Sequence, residues 1–304
     1  MKTGEPASVY GPIRYVLTGK GKRIRSVLLL LSCGAVGGNP HSALDAAAAI
    51  EMLHSFTLVH DDVMDHAELR RGRPTVHMKW DPNIALLAGD ELIALAYRSL
   101  LRTAGSRLHE VASVFTNAFV QVCEGQGFDK EFELRTNVSL GEYRSMVSKK
   151  TGGIIAAAAG IGALIGGGTR RETDALYKFG EYLGLAFQIR DDLLDITGDP
   201  ADLGKAVGSD IVERKKTYLF LKALEMSGPR DRASLVTLLG GNGRTVRRII
   251  KMREIYRRSG ALEAAEFEIR RTTGRAERSL AAIGEGREKD MLLWLSRRLL
   301  RRDS

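Results

Sequence analysis

An all-α fold is predicted by three observations. Apolar residues recur at helical spacing, the alternating Val/Ile/Tyr/Thr runs of strands are missing, and Gly/Pro clusters interrupt the pattern only at short turns. Candidate helices cover 22–36, 42–67, 83–103, 106–133, 140–150, 153–166, 171–197, 209–226, 229–238, 243–258, 260–283 and 287–301. The turns between them fall at Gly37-Gly38-Asn39-Pro40, Arg71-Gly72-Arg73-Pro74, Gly166-Gly167-Gly168, Gly198-Asp199-Pro200 and Gly240-Gly241-Asn242-Gly243, where Gly and Pro supply the backbone conformations a turn needs. None is a long linker and no motif repeats with a period of 20–50 residues, so a single helical domain over 1–304 is expected rather than a solenoid.

Composition bounds the function. With 44% hydrophobic and 27% charged residues over 304 positions, the chain is neither disordered nor collagen-like, and it is long enough to bury a large core. Its two cysteines, Cys33 and Cys123, have no metal-ligand spacing, which points to a reducing, cytoplasmic setting. Thr151–Thr169 is uncharged for 19 residues, long enough to span a bilayer. Seven of those residues are Gly and five are Ala, so a closely packed buried helix is expected and no membrane span. The net charge of +9 calls for an anionic partner, which at this stage is nucleic acid, lipid or phosphate.

Two acidic clusters narrow the choice. His60-Asp61-Asp62-Val63-Met64-Asp65 and Arg190-Asp191-Asp192-Leu193-Leu194-Asp195 each have the form DDxxD after an apolar helical stretch. Residues four apart share a helix face, so Asp61 with Asp65, and Asp191 with Asp195, present two carboxylates to one point. Their mutual repulsion asks for a hard cation, and Mg²⁺ takes one or two carboxylates together with water and phosphate oxygens. One such cluster is usually a solvated face. Two, both set in core helices, suit several metal ions holding one polyphosphate.

Basic residues at turns and helix ends supply the opposing charge. They are Lys22 and Arg25, expected on one side of a helix start; Arg70 and Arg71; Lys149 and Lys150; Lys205; and Lys215. His54 lies seven residues before Asp61, and Gln188 lies three before Asp191. The Arg-rich end (Arg270, Arg271, Arg275, Arg278, Arg297, Arg298, Arg301, Arg302) lacks a recognisable nucleic-acid reading element, so a solvated face is expected there and no nucleic-acid partner.

In these motifs the sequence resembles the trans-isoprenyl diphosphate synthases, or polyprenyl synthetases. The likeness runs from about Pro12 to Lys222 through GKGKRIR at 19–25, LHSFTLVHDDVMD at 53–65, LRRGRPTVH at 69–77, GD at 89–90, KKTGG at 149–153, FQIRDDLLD at 187–195 and LGKAVGSDIVERKKT at 203–217. Two departures stand out. Ser26 takes the place of the usual Pro, and the chain begins about twenty residues before the first motif, so that much of the family's N-terminal helix is expected to be absent.

The resemblance implies an isoprenoid-synthase helical bundle with a central cavity, and head-to-tail condensation of isopentenyl diphosphate with an allylic diphosphate by a homodimer. It implies that Asp61, Asp65 and Asp191 hold about three Mg²⁺ ions, Mn²⁺ being able to substitute, with Asp62, Asp192 and Asp195 in support. Lys150, Lys205, Lys215 and Arg70 would hold the departing pyrophosphate, and Lys22, Arg25, His54 and Arg71 the second diphosphate without metal. Thr151 and Gln188 would line the reacting carbons, and the released pyrophosphate would take the proton. Phe56, five residues before Asp61, and Thr57, four before it, would set the floor for the growing chain. An aromatic residue followed by a small one resembles short-chain synthases, with a C20 geranylgeranyl product expected first and C15 farnesyl second. A terpene cyclase shares one acidic cluster but not the second, nor the Lys22/Arg25 pair.

Overall fold

Helical periodicity becomes helix at nearly the expected ranges. The computed structural model describes residues 4–19, 21–198, 208–241 and 246–300. Its helices are α1 (Ala7–Leu17), α2 (Ile24–Ala35), α3 (Leu44–Met64), α4 (Val76–Lys79), α5 (Pro82–Leu100), α6 (Leu108–Leu134), α7 (Leu140–Val147), α8 (Gly153–Ile165), α9 (Arg170–Thr197), α10 (Ser209–Val212), α11 (Tyr218–Met226), α12 (Pro229–Gly240), α13 (Val246–Arg258), α14 (Ala261–Ser279) and α15 (Arg287–Leu300). A π-turn, Ser148–Gly152, joins α7 to α8.

Four expectations change. Helix α1 was not anticipated, because Gly11 and Pro12 disguise its apolar face; Pro12 and Ile13 are nevertheless buried. The helix expected over 209–226 is two, α10 and α11, separated where Arg214 adopts φ 57° and Thr217 caps the second by accepting the Phe220 N–H. Arg71-Gly72 is the tip of a small antiparallel hairpin pairing Leu69 with Pro74 and Arg70 with Arg73. Lys22 precedes α2 rather than lying on it, since Arg23, at φ 48°, is the N-cap.

The residues divide into two compact units. The first comprises 1–120, 154–180 and 279–292. There α3 packs most extensively on α5, while α2 lies against α3 and α1 against α5. Helix α8 is buried on every side, from Ile154 through Ala156, Ala157, Ala158 and Ala159 to Leu164. Its glycines are what allow this. A Cβ at Gly162 would overlap the Leu29 carbonyl oxygen, and one at Gly166 would lie 2.5 Å from the Cys33 carbonyl oxygen. The uncharged stretch is therefore a core helix, and among the described residues no helix is long and apolar enough to cross a membrane.

The second unit comprises 121–153, 181–278 and 293–304. Ser139 and Glu142 form a capping box at the start of α7. Arg248 is buried and donates to the carbonyls of Ile211 (2.5 Å), Gly241 (2.9 Å) and Leu239 (3.2 Å), tying α10, α12 and α13 together. Of the Arg-rich end, Arg270 pairs with Glu266, Arg271 with Glu268 and Arg297 with Glu277. Arg301 and Arg302 lie outside the described residues.

Candidate active site

In the first unit, α3 carries charges of both signs. His54 sits toward its middle and Asp61 two turns later, about 10 Å along the axis at 1.5 Å per residue. Asp65 is the C-cap and donates its backbone N–H to the Asp61 carbonyl at 2.8 Å, so the expected four-residue relation of the two acids holds. Both side chains are half-buried. Asp62, between them, is 4% exposed and faces inward. It accepts hydrogen bonds from Arg70 Nε (2.8 Å) and Nη2 (2.5 Å). Burial lowers the Arg70 guanidinium, but the bonds to Asp62 and the charges of Asp62, Asp61 and Asp65 outweigh it and hold Arg70 above the ordinary arginine value. Asp62 is thus the anchor of Arg70.

Around His54 the field is positive. Burial, then the guanidinium charges of Arg25, Arg71, Arg70 and Arg23, drive its imidazole well below the usual 6.5. Burial also draws Arg25 down to about 10, with Glu51 opposing and Arg71 assisting. Arg25 Nε is buried without a hydrogen-bond partner. A concentration of guanidinium groups with an unsatisfied N–H is a site that lacks its anion.

Local backbone geometry assembles this cluster. Arg71 (φ 54°) and Gly72 (φ 72°) both occupy the left-handed region, as a two-residue primed hairpin turn requires. A non-glycine residue there is uncommon and is found at sites that need a particular side-chain direction. Gly21 clears the space: a Cβ would lie 2.5 Å from Arg71 Nη1. The unanticipated α1 braces the hairpin, with Tyr15 Oη donating to the Pro74 carbonyl at 2.8 Å and Arg73 lying 3.9 Å over the Tyr15 ring. Ser26 has a use that Pro could not serve: its backbone N–H donates to Glu51 Oε1 at 3.0 Å and so holds the carboxylate that pairs with Arg23. Lys22 is exposed at the rim of α2.

One consequence is measurable. Unfolded His54 takes up a proton below about pH 6.5 whereas the folded residue resists it, so the unfolded state binds more protons in acid and stability falls as pH drops. Urea midpoints measured from pH 7.5 to pH 5.5 are expected to decline, and His54→Gln to make that decline shallower.

Below Asp61, Phe56 is 9% exposed and meets Phe119 edge to face at 5.4 Å and His60 at 4.6 Å. Thr57 is buried and donates to the His54 carbonyl at 2.9 Å. Gly89 of the GD pair accommodates His60, whose ring would overlap any Cβ there. Phe119 has no motif around it in the sequence and was not anticipated.

In the second unit, the residues of the second DDxxD part company. Asp191 is half-buried. Asp195 is fully buried, accepting from Ser209 Oγ (2.7 Å) and the Asp210 N–H (3.2 Å), so it fixes the start of α10 instead of joining Asp191 at one point. Asp192 is 3% exposed and accepts from Tyr143 Oη (2.6 Å), the Tyr218 N–H (2.9 Å) and Gln188 Nε2 (3.0 Å). Burial pushes its carboxyl up, against those three donors. Gln188 in turn accepts from Thr151 Oγ1 at 2.9 Å.

Lys150 lies in the π-turn and reaches Asp129 Oδ2 at 2.6 Å, while Lys149 pairs with Glu124 at 2.5 Å. Extra residues of this kind inside helices recur at functional sites. Lys215 pairs with Glu213. Lys205 lies outside the described residues. Asp129, Tyr143 and Phe119 are the participants that sequence reasoning missed: each is a lone residue on an amphipathic helix, with only burial to mark it.

A family model described as polyprenyl synthetase matches residues 6–256. The short chain isoprenyl diphosphate synthase of Methanothermobacter thermautotrophicus is 41% identical over 300 residues, covering 98% of this chain and 91% of the relative. The geranylgeranyl pyrophosphate synthase of Geoglobus acetivorans is 39% identical over 307 residues, covering 100% and 93%. Among solved structures, the geranylgeranyl pyrophosphate synthetase from Pyrococcus horikoshii superposes with a TM-score of 0.93 at 34% identity, covering 99% of this chain and 92% of the other.

Proposed function

Since the chain belongs to the polyprenyl synthetase family, we propose that it condenses isopentenyl diphosphate head to tail (1′-4) with dimethylallyl, geranyl or farnesyl diphosphate. The product is a short-chain trans-polyprenyl diphosphate, C20 geranylgeranyl in the first place and C15 farnesyl in the second, with release of pyrophosphate. The observation that carries this reading is the two-signed helix α3. At one end an arginine cluster with an unsatisfied guanidinium N–H suits a diphosphate without metal; two turns on, paired carboxylates suit a diphosphate with metal.

Asp61 and Asp65, with Asp191 from the second unit, are hard oxygen donors of the type Mg²⁺ takes. Among the described residues no three His, Cys, Asp or Glu side chains gather into a ready-made metal site, so each ion would complete its shell with diphosphate and water oxygens. About three ions are assigned on this basis, with Mn²⁺ able to substitute. Bound Mg²⁺ would stabilise the negative charge of the departing pyrophosphate.

The chain's own residues do the rest. Arg25, Arg71 and neutral His54, with Lys22 at the rim, grip isopentenyl diphosphate. Arg70, Lys150, Lys205 and Lys215 hold the leaving group, Arg70 kept in place by Asp62 and Lys150 by Asp129. Thr151 and Gln188 turn uncharged dipoles toward the allylic carbon, which steadies positive charge there without a nucleophile strong enough to trap it. The reading assigns one catalytic domain over 1–304, a homodimer and a cytoplasmic setting, the dimer being testable by sedimentation equilibrium.

Incubation with radiolabelled isopentenyl diphosphate, each allylic diphosphate in turn and Mg²⁺ is expected to give an acid-labile prenyl product. Its absence with all three allylic substrates overturns the reading. Phe56→Ala removes the ring that meets Phe119, opening about one helical turn of 5.4 Å, close to one isoprene unit. Turnover is expected to stay within a few-fold while product mass shifts up by at least one C5 unit. An unchanged product would remove Phe56 as the floor.

A further inference from the structure

Building on that reading, we propose that Tyr143 is a positioning residue that sets the polarity of the Thr151/Gln188 pair through the Asp192 carboxylate. Tyr143 and Asp192 are both nearly inaccessible, at 2% and 3% exposure. The chain of hydrogen bonds has only one consistent direction. An ionised carboxylate accepts and cannot donate. Asp192 Oδ2 takes the Tyr143 O–H and the Tyr218 N–H, and Oδ1 takes the Gln188 amide. Gln188 is therefore obliged to turn its NH₂ to Asp192 and its carbonyl to Thr151. Thr151 has one proton and spends it on that carbonyl, which leaves only lone pairs of its hydroxyl for any neighbour on its other side.

That direction matters for the chemistry. A carbon losing a diphosphate gains positive charge, and oxygen lone pairs favour it whereas an N–H or O–H proton opposes it. A Gln188 amide turned the other way would ask Thr151 to accept from an NH₂ and would release the Thr151 proton to point elsewhere. Asp192 forbids this, provided that its own orientation is fixed. Tyr143 and the Tyr218 N–H hold Oδ2 from two directions. Without the hydroxyl, one donor remains and the carboxylate gains freedom about its terminal torsion.

The test is a double-mutant cycle read in kcat and KM separately. Tyr143→Phe is expected to lower kcat about tenfold at saturating substrates, with both KM values within about twofold, because the defect lies in orientation at the reacting carbon and not in diphosphate binding. Thr151→Val is expected to lower kcat further, and adding Tyr143→Phe to it to cost nothing more. In Thr151→Ser, which restores a hydroxyl, Tyr143→Phe is expected to recover its full cost. An unchanged kcat in Tyr143→Phe, or losses that multiply in the double variant with Val, overturns the inference. Should Tyr143→Phe unfold, Asp192→Asn replaces it in the same cycle, with the same pattern expected and multiplying losses again overturning it. A wild-type chain without prenyl product defeats the preceding function; an active wild type with multiplying losses defeats only this role of Tyr143.

Discussion

Asp61→Ala is expected to reduce kcat by about 10³-fold or more, which corresponds to about 4 kcal/mol of lost transition-state stabilisation. The carboxylate is half-buried at the end of α3, four residues from Asp65, in a field that already contains Arg70. Removing it takes away a hard ligand while the arginine cluster around His54 stays whole. KM for isopentenyl diphosphate is therefore expected to move by only a few-fold. Stability is expected to hold or to rise by a few tenths of a kcal/mol, since the repulsion between two like charges at i, i+4 is relieved. Steady-state kinetics with radiolabelled substrate and a thermal melt separate these effects. A loss of activity matched by a loss of folded protein would remove Asp61 from the chemistry. Asp62→Asn provides the contrast: it strips Arg70 of a buried ionic partner, so a clear drop in the melting temperature is expected there.

The second large effect comes from a residue with no functional group. In Gly125→Ala the new Cβ would lie 2.7 Å from Lys150 Cα and closer still to Lys150 N. Those atoms are backbone and cannot rotate aside, so α6 and the π-turn have to separate. The displacement falls on Lys150 and Thr151, and a shift of about 1 Å at such a position costs about 10²-fold in rate. Overpacking adds about 2 kcal/mol of destabilisation. Two residues further along the same helix, Gly127 has nothing within 4 Å of its would-be Cβ. Gly127→Ala is expected to leave kcat alone and to stabilise α6 by about 0.5–1 kcal/mol. The pair compares close approach with helix propensity in one element, read by kcat and by urea midpoint. Equal behaviour of the two variants would show that α6 and the π-turn do not touch as described.

The helices were legible because a 3.6-residue pattern of apolar side chains survives in the sequence wherever one face is buried. The acids were legible because repetition of DDxxD is improbable by chance. What escaped notice lacked such a pattern. Pro12 and Gly11 hid α1, although both are compatible with its first turns. Asp195 bears the same letter as Asp191 but caps α10, and only the approach of Ser209, fourteen residues later, distinguishes the two. Asp129 and Tyr143 hold Lys150 and Asp192 from elements far along the chain, so nothing local marks them. Gly125 is a glycine for the sake of a backbone twenty-five residues away.

The π-turn at Ser148–Gly152 also constrains how this chain can change length. A π-turn holds one residue more than the α-helical path it replaces. Deleting any one of the five would let α7 run straight into α8 as ordinary helix, at no cost in hydrogen bonds. The deletion would, however, turn everything that follows by about 100° about the helix axis. Helix α8 is buried on every side, with glycines at positions where only glycine fits, so it has no spare face to offer at a new angle. Insertions and deletions are accordingly expected to be tolerated at the surface turns and rejected here, and the segment's length is as much a part of its specification as its lysines.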